Sequence, residues 1–151
     1  MQRRTLLQGV IAALLLPAAA AKAAKSALPV IQVYKTESCG CCHVWVDHLR
    51  ANGFTVKAAD VDNPSVYRTK YGVPDALGSC HTGVVAGYAL EGHVPAAEIK
   101  RLLAERPKAR GLAVPGMPMG SPGMEGSHKD PYDVLLIQPD GSTRVYKHYS
   151  A

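Results

Sequence analysis

From Val30 onward the chain alternates short β-branched runs with stretches whose apolar residues recur at helical spacing, and this alternation predicts the elements in turn. Val30-Ile31-Gln32-Val33-Tyr34 is rich in β-branched and aromatic residues and predicts a strand. After polar Thr36-Glu37-Ser38, the residues Cys42, Trp45, Val46 and Leu49 recur at i, i+3, i+4 and i+7. That spacing puts them on one face of a helix, which Asn52-Gly53 stops. Cys42 therefore points toward the core, while Cys39 sits near the helix N-cap and is more exposed. Phe54 to Asp60 predicts a second strand, and Asn63-Pro64 opens a short helix closed by Gly72. The turn-rich stretch Val73 to Ser79 delivers Cys80-His81 to a third strand, Thr82 to Ala86, and Gly87 turns the chain into Tyr88-Ala89-Leu90. Pro95 opens a helix striped by Ile99, Leu102 and Leu103 and ended by Pro107.

The order β-α-β-α-β-β-α suits an α/β, thioredoxin-like fold, a central mixed sheet flanked by helices. From Gly111 the pattern breaks. Residues 110–130 are rich in Met, Gly and Pro and predict a long loop, of the kind that is functional or disordered in a compact domain. Tyr132 to Gln138 and Thr143 to Tyr149 then flank Pro139-Asp140-Gly141-Ser142, the signal of an added C-terminal β-hairpin lying against the sheet edge or over the loop. Residues 30–151 are thus read as one domain.

The N-terminus changes this picture. Met1-Gln2-Arg3-Arg4 is positively charged, Gly9 to Ala21 is apolar and small, and Ala21-Lys22-Ala23 fits an A-x-A cleavage site. Residues 1–23 are read as a signal peptide, with Arg3-Arg4-Thr5-Leu6-Leu7 loosely resembling a twin-arginine signal, and residues 24–29 as a linker; the alternative is an uncleaved anchor. The apolar run is shorter than the ~20 residues of a membrane span. Cleavage would remove Arg3, Arg4 and Lys22 and no acidic residue, lowering the formal net charge from +5 to +2. Since no Lys/Arg run alternates with aromatics, no nucleic-acid partner is expected. Export implies the periplasm, and no membrane association after cleavage. In an oxidising compartment four cysteines, three of them almost adjacent, need a special explanation.

Cys39-Gly40-Cys41-Cys42 places three thiols within one helical turn at a strand-to-helix junction, and a C-x-x-C there is a redox signature. In a thioredoxin-like fold the segment entering the third strand faces that motif, which would bring Cys80 and His81 to it. The helix N-terminus favours thiolates at Cys39 and Cys41, which serves metal binding and disulfide exchange alike. For exchange, Cys41 and Cys80 would compete for pairing; for metal they add ligands. Soft thiolates suit Cu(I), Zn(II) or iron–sulfur clusters, and the thioethers of Met117, Met119 and Met124 favour copper. Those methionines could equally pack over exposed core. His81 is either a ligand or a loop histidine bonded to backbone. His43 is turned away from Cys42 by the helical step. His93 is read as structural, and His48, His128 and His148 as surface residues, with His128 able to join a looser second site. Trp45 is read as a core anchor, and Asp47, Asp60 and Asp62 as solvated or capping carboxylates. No spacing supports a hydrolase.

Val33-Tyr34-Lys35 with Cys39-Gly40-Cys41-Cys42, Trp45 to Leu49, Gly78-Ser79-Cys80-His81-Thr82, Glu91-Gly92-His93-Val94-Pro95, and Gly111 to Pro118 through Gly123-Met124-Glu125 together resemble the CopG-type exported C-x-C-C proteins of bacterial copper-resistance operons. The likeness runs from about Val30 to Tyr149. It implies a periplasmic thioredoxin-like domain that binds copper beside other copper-handling proteins, with Cys39, Cys41, Cys42 and Cys80 as metal-binding thiols and His81 and the methionine loop near them. The expected function is Cu(I) held in a cysteine cluster, as one ion or several, for sequestration, transfer or redox handling in copper tolerance. The rival readings are a thiol–disulfide oxidoreductase using Cys39 and Cys42 and, less favoured, an iron–sulfur carrier.

Overall fold

The structure, a computed structural model, describes residues 27–151. The predicted signal peptide and the first part of the predicted linker lie outside the described residues. The elements are β1 (Ile31–Lys35), α1 (Gly40–Ala51), β2 (Val56–Asp60), α2 (Ser65–Lys70), a single 3-10 turn (Asp75–Leu77), β3 (His81–Val85), β4 (Tyr88–Gly92), α3 (Ala96–Glu105), β5 (Gly111–Val114), β6 (Tyr132–Ile137) and β7 (Thr143–Tyr149). Through α3 they follow the predicted order.

All seven strands form one mixed sheet, ordered β2-β1-β3-β4-β5-β6-β7. β1 runs parallel to β2 and antiparallel to β3, β3 and β4 form a hairpin, and β4 pairs in parallel with β5. Helices cover both faces. Trp45, Val46 and Leu49 of α1 and Ile99 and Leu102 of α3 pack with Ile31, Val33, Leu90, Leu112 and Leu136 on one face. On the other, Val73 and Leu77 pack with Ala89, Ala113 and Ile137, and Tyr67 of α2 stacks on Tyr34 with 3.6 Å between ring centroids. Alternate strand residues thus serve two cores, as a sheet buried on both faces requires.

The predicted loop 110–130 is shorter than expected. Gly111–Val114 is β5, wholly buried between β4 and β6, and it is β5 that carries the C-terminal hairpin onto the sheet edge. A four-residue apolar run buried on both faces has no alternation to mark it as a strand, and the Gly and Pro that bracket it read as loop. Among the described residues no helix is long and apolar enough to cross a membrane.

Candidate metal centre

α1 follows β1 after the four residues Thr36 to Cys39, so its N-terminus stands at the carboxyl end of β1. Cys39 is the N-cap, Cys41 and Cys42 lie in the first turn, and no side chain caps the helix and no acidic residue occupies that turn. The partial positive charge of the exposed N–H groups therefore acts on the sulfurs alone. Cys42 is buried on the face of Trp45, Val46 and Leu49, as the spacing predicts, while Cys39 and Cys41 are half-buried. Cys39 and Cys42 are joined by a disulfide; Cys41 and Cys80 are free.

Cys80 enters from the opposite side, at the start of β3. Its Sγ lies 3.4 Å from Cys42 Sγ and 3.7 Å from Cys41 Sγ, and Cys41 Sγ is 3.6 Å from Cys39 Sγ. One ligand atom from each of the four cysteines falls within 4.8 Å of the others. Burial, reinforced by the neighbouring Cys41, pushes the Cys80 thiol up to about 12. A cation bound there must displace that proton, as thiolate ligation does in general.

The glycine-rich loop closes over this cluster. Gly123 at φ 100° lies so near α1 that a Cβ would come within 2.8 Å of the Cys41 carbonyl oxygen, so glycine is required there. Met117 has φ 47°, a left-handed backbone costing an L-residue of the order of 1 kcal/mol, and its Sδ sits 3.3 Å from Cys80 Sγ. Met119 turns its methyl toward Gly126 instead. Met124 serves the loop through its backbone, accepting from Gly120 N at 2.7 Å and donating to Ser121 O at 2.8 Å. Of the loop methionines, only Met117 meets a cysteine sulfur among the described contacts.

His81 is bonded to backbone, one of its two predicted possibilities, and its other ring nitrogen faces Cys80. Its Nε2 donates to Gly92 O at 2.9 Å, and its Nδ1 faces Cys80 Sγ at 3.9 Å. The ring stacks on Trp45 at 4.3 Å, and Trp45, the expected core anchor, donates from Nε1 to Val94 O at 2.8 Å. Gly83 makes room for that indole: a Cβ there would lie 3.2 Å from Trp45 Cη2. Burial, with His93 beside it, holds His81 down to about 3, so the imidazole is neutral. His43 is exposed, as expected. His48 is not a free surface residue: its Nε2 accepts the Ala96 N–H at 3.1 Å, capping α3. His128 and His148 pair with Asp130 and Asp133. Asp47 pairs with Arg50, and Asp60 pairs with the buried Lys35.

Sequence reasoning gave Glu91 no role. It is fully buried behind Cys80 and accepts from Ser79 N at 2.7 Å, Arg68 Nε at 3.1 Å and Thr82 Oγ1 at 2.7 Å. These bonds hold both flanks of Cys80, with Arg68 also donating to Ser79 O at 3.0 Å. A glutamate in the middle of the β4 pattern was the available signal, since a carboxylate is rarely buried unless it is paired. His93, read as structural, is also fully buried and packs 5.6 Å from His81, ring to ring.

Residues 77–124 match a family model described as "Protein of unknown function, DUF411". No curated protein matches the chain. Two solved structures do, "Copper resistance protein copG- Form 2" and "Copper resistance protein copG- Form 1". Each is 46% identical with a TM-score of 0.77. The first match covers 81% of this chain and 98% of that one, the second 82% and 99%.

Proposed function

This chain belongs to the CopG family of copper resistance proteins, and from that premise we propose that it binds Cu(I) as cargo between the α1 N-terminus and Cys80. The observation that carries this reading is the convergence of the Cys39, Cys41, Cys42 and Cys80 sulfurs within 4.8 Å, with Met117 Sδ at 3.3 Å from Cys80. Such an all-sulfur donor set is soft and fits a monovalent copper ion. Cys39 and Cys41, half-exposed, take the ion from solvent or a donor protein; Cys42 and Cys80 complete its ligation from the core side, and Met117 with its loop shields it. Full thiolate ligation needs the Cys39–Cys42 disulfide reduced, by two electrons and two protons from a cellular thiol reductant. Reoxidation of that pair by a disulfide-bearing oxidant, which takes up the two electrons and two protons, removes two ligands and releases the ion. The β2-β1-β3-β4 order with α1 and α3 on one face and α2 on the other supports a thioredoxin-like reading of the core. The N-terminal charge and apolar pattern supports export to the periplasm, where other copper-handling proteins would give or take the cargo.

The test is anaerobic Cu(I) titration of the reduced protein against a chromophoric Cu(I) chelator, with bound metal counted by elemental analysis. Copper withdrawn from the chelator is the expected result; no competition would remove the copper reading. A second reading, thiol–disulfide oxidoreductase, is favoured by the Cys39–Cys42 disulfide. It requires insulin reduction that survives Cys80→Ser.

A further inference from the structure

The end of the sheet opposite the cysteines holds a cavity of about 650 Å³, within the usual size of a small-molecule site. β3 carries the chain from Cys80 to Ala86 in its wall, a run of about 20 Å at strand rise, so cavity and sulfur cluster lie at opposite ends. Lys100, Leu103 and Ala104, at i, i+3 and i+4, put one face of α3 on it. Leu28, Tyr88 and Leu103 each pack one side on the hydrophobic core and leave the other to the cavity. Tyr88 Oη donates to Pro107 O at 2.8 Å, which ties the chain leaving α3 to β4.

The two cations in the lining are Lys100 and Arg106, and no acidic residue accompanies them. Neither is in an ion pair among the described residues. Lys100 Nζ lies 5.8 Å from the centroid of the Phe54 ring, and Arg106 Nε reaches only its own helix, at Leu103 O. The adjacent Glu105 is engaged by Arg101 and by the Tyr146 hydroxyl. The backbone singles out the same place. Three non-glycine residues have a left-handed backbone among the described residues: Met117 at the sulfur cluster, and Ala86 (φ 46°) and Arg106 (φ 48°), both lining this cavity. Glycine or asparagine is the ordinary choice in such a hairpin turn and at such a helix end. Backbone held this way gathers at ligand clamps.

We propose that this cavity binds an acyl carboxylate, its chain against Leu28, Tyr88 and Leu103 and its head group held by Lys100 and Arg106. Two unpaired cations beside an apolar wall complement an amphipathic anion. A neutral apolar ligand would leave the charges unanswered, and an inorganic anion would leave the wall in water. The site lies apart from the copper chemistry and does not depend on it.

The experiment is a backbone ¹H–¹⁵N correlation spectrum of the unmodified protein titrated with octanoate, with octanol as the uncharged comparator. Saturable shifts of the Ala86, Tyr88, Leu103 and Arg106 amides are expected. Octanol should bind about tenfold more weakly, since each of two exposed charge pairs contributes roughly two- to fivefold. A Lys100→Gln/Arg106→Gln protein should lose that preference, and Ala104→Trp, at an exposed position of the wall, should block both ligands. Equal binding of octanoate and octanol by the unmodified protein would overturn the carboxylate. Shifts that miss these amides, or that survive Ala104→Trp, would overturn the cavity. Phosphatidylglycerol vesicles, which offer the same anion-and-chain chemistry as a surface, form the second arm: protein that sediments with them yet shows no octanoate shifts would overturn the cavity and make this end a lipid contact.

Discussion

Where β3 and β4 approach the start of α1, the interior holds His81, Thr82, Glu91 and His93, all fully buried. Where β6 closes the other end of the sheet and β7 borders it, the buried residues are Val134, Leu136, Ile137 and Tyr146. Both regions belong to one hydrogen-bonded sheet, yet the first spends stability that the second supplies. Each buried polar group at the cysteine end had to leave water, and a buried ion pair such as Arg68–Glu91 at 3.1 Å often returns little more than that cost. Apolar side chains at the hairpin end gain about 25 cal/mol for each Å² buried, with no such penalty. Polar groups retained against their desolvation cost, each aimed at Cys80 or at a neighbour of Cys80, are accounted for by chemistry at that thiol rather than by stability.

The largest effect expected from this contrast follows Cys80→Ser. Cys80 lies between Cys41, Cys42, Met117 and His81, so its loss should lower Cu(I) affinity by more than the ~100-fold associated with losing an outer-shell partner. The thermal midpoint should change little. Chelator competition and calorimetry measure the two; unchanged copper affinity would place the metal elsewhere. Glu91→Gln comes next. It leaves the mostly buried Arg68 with only the exposed Asp75, 3.9 Å away, as counter-charge and should cost about 3 kcal/mol in urea unfolding, the low end for breaking a buried pair because that second partner remains. Copper affinity should fall with it, since both flanks of Cys80 lose their anchor. A stable protein with weak copper binding would make Glu91 a positioning residue alone.

Most of the scaffold was legible because it is written in periodicity. Cys42, Trp45, Val46 and Leu49 at helical spacing predicted which thiol faces the core, and the analogy to a thioredoxin-like fold, with Cys80 entering the third strand, predicted its approach to the C-x-C-C segment. What escaped has a physical reason in each case. β5 is too short and too uniformly apolar to show a period. Gly83, Glu91 and His93 matter through partners far away in the chain, and nothing local distinguishes a histidine whose Nε2 is stranded in the interior from one satisfied by backbone. Met117, Met119 and Met124 looked equivalent in sequence; the left-handed turn at Met117 separates them.

The third expectation concerns acid. The His81 ring is held near 3 in the folded chain against about 6.5 unfolded, and burial lowers His93 in the same direction. Across that interval the unfolded chain takes up protons that the folded chain refuses, so stability is intact above about pH 6.5 and is lost as pH falls toward 3. The slope is at most about 1.4 kcal/mol per pH unit for each histidine. No histidine is buried at the hairpin end. Amide exchange corrected for its intrinsic pH dependence should therefore accelerate in β3 and β4 between pH 7 and 5 before it does so in β6. Uniform acceleration would mean that the two ends open as one unit.

The smallest effect expected is at the hairpin end, where Ile137→Val removes one buried methyl group from the cluster of Val73, Leu77, Ala89 and Ala113. Its cost should be about 1 kcal/mol, the usual loss for this change in a packed core. Ile137 accepts the Arg110 N–H through its backbone carbonyl, at 2.8 Å, and pairs with Gly111 in the β5 register, and neither contact depends on the side chain. The sheet should therefore keep its order and Cys80 its place, so the Cu(I) titration of Ile137→Val should overlay that of the unmodified protein while its urea midpoint shifts. A copper affinity that fell in proportion to the lost stability would show that the cysteine end borrows its rigidity from the extension, and the division of labour between the two ends of the sheet would fail.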